Sequence, residues 1–325
     1  MRKIAIALCL ILCLLTSACG ADYAATAGKW KVSEGEINFY LSSIKSQMNG
    51  TELASDEDWQ TQEIEGMRAI DFAKERALET AANNVAYVEI AEYLGIELTS
   101  EDESSISNVK KSLISQYGGE SGYKAFLKAQ NIDDSFIDML CNSMIYSEKL
   151  ADIAVEQSPI TDEEREAAFE KLSADGNYKA KHILILTVDP DTMQPLTEEE
   201  QQQAETKADE LYQRVLSGED FDALMNEYSQ DPGLAANPDG YVFSTGEMLE
   251  EFESCVDSLE INGIGFAQSD FGYHIIKRLS LGRSDLEEKI TAQVRSDKLS
   301  AAMAEWKEAV GFTITKNDSV FDAIS

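Results

Sequence analysis

Histidine is nearly missing from this sequence, with two in 325 residues, and proline is scarce, with five. The two histidines fall in no H-E-x-x-H or cysteine/histidine spacing, so neither a metal nor a cofactor is expected. No proline lies between Cys19 and Ser158, which excludes a proline-rich linker there and agrees with uninterrupted helices. Of five cysteines, Cys9, Cys13 and Cys19 sit at the N-terminus and only Cys141 and Cys255 remain for a folded body. That is too few for a disulfide framework. Basic residues are outnumbered, 27 Lys and Arg against 60 Asp and Glu, and the net charge of -33 repels phosphate backbones. Nucleic acid is thereby excluded as a general partner. The N-terminal apolar run Ile4 to Leu15 is twelve residues, and no later segment reaches the ~20 needed to span a bilayer. A G-x-S-x-G elbow and a phosphate-cradling glycine loop are also missing.

What the N-terminus does have is Met1-Arg2-Lys3 before the apolar run and Ser17-Ala18-Cys19 after it, the pattern of a secretory signal over residues 1–18. Small residues directly before a cysteine resemble the bacterial lipobox, with Thr16 where an aliphatic residue is usual. The expectation is lipidation of Cys19, a short tether over 19–28, and a location on the extracytoplasmic face of the cell membrane.

Beyond the tether, Trp30 to Val32 reads as a brief strand and Ser33 with Glu36 as a capping box. Apolar residues at helical spacing then run through Ile37, Tyr40, Leu41, Ile44 and Met48, and again from Ile64 to Tyr93. Further helix starts are marked by Thr99 with Asp102, by Asp133-Asp134, and by Thr161 with Glu164. A helical domain over 29–174 is predicted. Near Tyr178 the texture changes to strand, and two helices follow, one capped by Thr197 and Glu200 and one from Phe221 to Tyr228. A strand at Tyr241 to Phe243, a helix from Glu247 to Leu259 and a last strand from Tyr273 to Leu279 complete an α+β domain over 175–282. Residues 283–325 supply a helix with a stripe of Leu286, Ile290, Val294 and Leu299, which needs a partner surface. The stripe is expected to pack on the N-terminal helices. The fold class is therefore α+β, a discontinuous all-helical domain with an inserted sheet-and-helix domain.

Both histidines fall in the inserted domain, within a spaced set of segments. These are Lys181-His182-Ile183-Leu184, Asp220-Phe221, Glu227 to Pro232, Phe243 with Gly246-Glu247-Met248, Glu251-Phe252, and Phe271-Gly272-Tyr273-His274-Ile275-Ile276. In order and spacing the set resembles the parvulin family of peptidyl-prolyl isomerases. With the flanking helices and the lipobox-like segment, the whole chain resembles the PrsA-type foldase lipoproteins and the related SurA chaperones.

The resemblance implies an antiparallel sheet wrapped by helices, and partners that are unfolded or partly folded exported polypeptides containing X-Pro bonds. It assigns His182, Asp231 and His274 to the reacting amide and Met248, Phe252, Ser269 and Phe271 to the substrate. On residue type alone, the histidines also fit a structural polar pair, Asp231 a turn-shaping role in Asp231-Pro232-Gly233, and the Met and Phe set an ordinary core. Met248 and Phe252, four apart, are expected on one face of one helix. Departures from the family pattern are Gly240, where a Leu usually lines the pocket, and a shortened segment between Leu259 and Phe271. They keep a second function open, a non-catalytic holdase with a degenerate parvulin domain. The loop Thr187 to Pro195 has no Arg or Lys, so selectivity for phosphorylated Ser-Pro is not expected.

Overall fold

The computed structural model describes residues 23–48, 53 and 55–324; the signal segment and Cys19 lie outside the described residues. Strands β1 (Tyr23–Ala27) and β2 (Trp30–Ser33) lead into helices α1 (Glu34–Met48) and α2 (Asp56–Thr61) and a hairpin of β3 (Glu63–Ile64) and β4 (Met67–Arg68). Helices α3 (Ala69–Leu94), α4 (Ser100–Gln116), α5 (Glu120–Gln130), α6 (Asp134–Gln157) and α7 (Asp162–Ala174) follow. Next come β5 (Asn177–Leu186), α8 (Glu198–Leu216), α9 (Phe221–Tyr228), β6 (Tyr241–Ser244), α10 (Glu250–Ser258), β7 (Ile264–Ser269) and β8 (Gly272–Leu279). Helix α11 (Glu287–Val310), strand β9 (Ile314–Lys316) and helix α12 (Asp318–Phe321) end the chain.

Each capping box read from the sequence is formed. Ser33 and Glu36 bond reciprocally ahead of α1, as do Thr99 with Asp102 at α4, Thr161 with Glu164 at α7 and Thr197 with Glu200 at α8. These signals act over three residues, so local sequence suffices to set them.

The chain divides into two compact units, Met1–Ala154 with Leu299–Ser325, and Val155–Lys298. In the first, α1, α3 and α6 bury Ile37, Leu41, Ile70 and Phe136 around an alanine-lined face of α3, including Ala73, Ala77 and Ala81. Small side chains let helix axes approach closely. The expected tether over 19–28 is corrected here: Tyr23–Ala27 is the central strand of a sheet ordered β2-β1-β9, with Ala24, Ala25 and Ala27 fully buried. Its order comes from far along the chain, since Asn317 N donates to Ala24 O and the buried Lys74 ammonium binds the carbonyls of Asp322 and Ile324. The helix expected from Ile64 begins instead at Ala69, because Glu65 and Gly66, both at positive φ, turn residues 63–68 into a hairpin.

The unit boundaries differ from the expected 174/175 and 282/283. Ala168 of α7 packs with Leu286, Ile290 and Val294, so α7 and the first half of α11 belong with the sheet-bearing unit. Of the predicted stripe only Leu299 lies in the first unit, where it joins Met303 and Trp306 against Ala86, Ile90 and Leu150.

In the second unit an antiparallel sheet is ordered β6-β5-β8-β7. Side chains alternate across it. Ile183, Ile185, Tyr273 and Ile275 face α8 and α9, burying Leu211, Leu224 and Met225 with them. Ala180 and Ile276 face α10 and pack with Phe252 and Val256. Strand β7 is absent from the sequence reading, since Gly263, Gly265 and Gln268 break any apolar run there.

Candidate active site

The register of β5 and β8 sets His182 opposite Ile276 and His274 opposite Leu184, so the two histidines are diagonal neighbours on the α10 face. Their Nδ1 atoms are 3.0 Å apart and their rings lie within 11° of parallel. His274 Nε2 is 2.8 Å from Ser269 Oγ on β7, and that hydroxyl also accepts from Phe271 N at 3.2 Å. At the other end His182 Nε2 lies 3.2 Å from Asp231 Oδ2, within ion-pair reach though off the line of a hydrogen bond, and it has no other partner.

Donor and acceptor arithmetic orders this chain. Nε2 of His182 faces a carboxylate and so carries its ring proton, which leaves Nδ1 as an acceptor. His274 must then donate through Nδ1, and its Nε2 accepts from Ser269 Oγ. The result is one polarised run, from Phe271 N–H through Ser269, His274 and His182 to Asp231. Burial, with His182 beside it, depresses His274 to about 4, Asp231 opposing the shift, so its imidazole is neutral at physiological pH.

Asp231 is held on both oxygens. Oδ1 accepts from Gly233 N at 3.0 Å, the Asx turn that the Asp-Pro-Gly segment suggests, while Oδ2 accepts from Tyr241 Oη at 2.5 Å. Burial favours its protonation but is outweighed by His182, Tyr241 and Gly233, which bring it down to about 2. The turn-shaping role and the place beside His182 coexist in one side chain. The preceding residues tie this loop to β5: Leu184 N donates to Ser229 Oγ at 3.1 Å, Gln230 N to Leu184 O at 2.8 Å, and Leu186 N to Gln230 Oε1 at 2.8 Å.

Phe252 is buried and presents its ring edge-to-face to His182 and His274, with centroids 5.2 and 5.8 Å away. The expectation that Met248 shares its helix is corrected: α10 starts at Glu250, and Met248 lies in the bend before it. Gly246, at φ +87°, turns the chain, and the Glu253 carboxylate accepts from Gly246 N and Met248 N at 2.9 and 2.7 Å. Met248, half-buried, nevertheless packs on the Phe252, Phe243 and Val256 cluster. Phe271 sits exposed in the turn between β7 and β8, outside that cluster. Gly240 has φ +96°, and a β-carbon there would fall 2.7 Å from Ala180 O, so the backbone itself fills the place of a side chain.

Sequence reasoning gave no role to Ser229 and Gln230, though their segment stands in the motif set, and missed Tyr241, Glu253 and Arg278. The Arg278 guanidinium caps the end of α10, donating to the carbonyls of Val256, Asp257 and Leu259 at 3.2, 3.1 and 2.6 Å. A lone arginine or tyrosine on a strand carries no local signal for such a task.

With this geometry in hand, residues 167–280 match the family model of the PPIC-type PPIase domain. A foldase protein PrsA of Caldanaerobacter subterraneus subsp. tengcongensis is 27% identical over 286 residues, which is 85% of this chain and 82% of that protein. The inserted domain is thus similar to the PPIC-type PPIase domain, and the chain as a whole is similar to a foldase protein PrsA. A second foldase protein PrsA, from Halalkalibacterium halodurans, is 36% identical over 149 residues, 43% of this chain and 39% of that one. A chaperone SurA of Alkalilimnicola ehrlichii is 32% identical over 136 residues, 39% of this chain and 30% of that one. The chain thus spans most of the first relative and well under half of the other two. Among its described residues no helix is long and apolar enough to cross a membrane.

Proposed function

We propose that the unit carrying the histidines catalyses cis-trans isomerisation of X-Pro bonds and that the whole chain acts as a chaperone for exported polypeptides. The observation that carries the reading is the buried run Ser269, His274, His182, Asp231 beneath Phe252. Rotation about an X-Pro bond faces a barrier of roughly 20 kcal/mol, and no covalent bond need be made or broken to cross it. A catalyst has only to bind the twisted amide better than the planar one. Met248, Phe252 and Phe271 receive the proline ring on an apolar surface. His182, His274 and Asp231 provide fixed dipoles and one anion whose orientations do not have to be rebuilt as the amide twists, and Ser269 holds the His274 tautomer.

Lipidation at Cys19, outside the described residues, would place the protein on the extracytoplasmic face of the membrane. The helical unit would then shield unfolded segments, its net negative charge favouring basic clients. The test is a proline isomerisation assay with the full chain and an unphosphorylated Ala-Ala-Pro-Phe peptide. Acceleration that falls on Asp231→Ala supports the reading. A correctly folded wild-type protein without acceleration refutes the catalytic part and leaves the holdase alternative.

A further inference from the structure

We infer that Tyr241 is a positioning residue of the isomerase site, its hydroxyl holding the Asp231 carboxylate against His182. The inference rests on the isomerase reading above. Tyr241 Oη donates to the same oxygen, Oδ2, that faces His182 Nε2, and its ring meets the His182 ring edge-on at 5.8 Å and 88°. The other carboxylate oxygen is already taken by Gly233 N, so Tyr241 supplies the second of two donors that fix the plane of the carboxylate. Space for the phenol hydroxyl is made by Gly233. A β-carbon on Gly233 would collide with the Tyr241 hydroxyl, and Gly240, directly before Tyr241, adopts a left-handed conformation against Ala180 O.

The consequence is electrostatic. Burial and the facing Asp231 anion push Tyr241 up to about 12, so the phenol remains a donor across the physiological range. The titratable groups facing Asp231 are His182 from β5, His274 from β8 and Tyr241 from β6. Removing the hydroxyl leaves Oδ2 with His182 alone, frees the carboxylate to rotate, and loosens the His182 tautomer on which the run to Ser269 depends.

The experiment uses the full chain as wild type, Tyr241→Phe, Asp231→Asn and the double variant, with the Ala-Ala-Pro-Phe peptide and carboxyl 13C NMR. Tyr241→Phe keeps the ring and should raise the Asp231 midpoint by about one unit, lower kcat/KM about tenfold, and cost nothing further in the Asp231→Asn background. Gly233→Ala, which crowds the hydroxyl without removing it, should shift the midpoint in the same direction. An unchanged Asp231 midpoint in both variants, or a Tyr241→Phe loss that adds in full to that of Asp231→Asn, overturns the inference. If the wild type is folded but inactive, the isomerase reading fails, and the midpoint still decides whether Tyr241 holds the carboxylate.

Discussion

The Nδ1 atoms of His182 and His274 face each other at 3.0 Å, so only one of them can carry a proton in the native arrangement. Protonating His274 would add a proton at Nε2, where it now accepts from Ser269 Oγ, and would place a positive charge in a buried site. Its native pKa of about 4 lies below the ordinary 6.5, so the unfolded chain binds more protons between those values. Stability from this group is complete above about pH 6.5 and is lost as pH falls toward 4, by up to about 3 kcal/mol. NMR titration of the His274 ring should give a midpoint near 4. A midpoint at or above 6.5 would contradict the arrangement.

Phe252 and Met248 should separate in their effects. Phe252 is a core residue, so Phe252→Ala should cost about 3 kcal/mol or more of stability as well as activity. Met248 lies in a half-buried bend, and Met248→Ala should cost about 1 kcal/mol while still lowering the isomerisation rate. Chemical denaturation alongside the peptide assay distinguishes the two. Equal destabilisation by both would mean that Met248 is as deeply packed as Phe252.

Restoring the family's usual leucine should do harm. Gly240→Leu places a side chain at φ +96° with its β-carbon against Ala180 O, which should destabilise the unit by about 2 kcal/mol or more and lower activity. A variant of wild-type stability with raised kcat/KM would show that the backbone path at β6 differs from the one described.

The proposed lipid anchor would make membrane attachment depend on the Cys19 thiol. Wild type should fractionate with membranes and Cys19→Ala should not, since the described residues offer no spanning helix. Intact mass of the mature protein reports the modification directly. An unmodified N-terminus at any other residue would dispose of the lipid anchor.

Some of this was legible before any coordinate. Capping boxes span three residues, the helical repeats of α1 and α3 recur within a turn or two, and the apolar run from Ile183 to Leu186 is a strand signal over a few positions. The histidines, Asp231 and Phe252 stand in the spaced motif, and Ser269 is assigned by the family resemblance. What the tertiary structure decided are contacts between segments far apart in the chain. Strand β1 is ordered by Asn317 and β9, and the α7–α11 seam moves both unit boundaries. Glu253 pulls Met248 into a bend off the helix, and Tyr241 reaches Asp231 where Gly233 leaves room for its hydroxyl. The reason is physical: period and capping are written in neighbouring residues, whereas the partner of a buried polar atom depends on which distant segment packing brings to it.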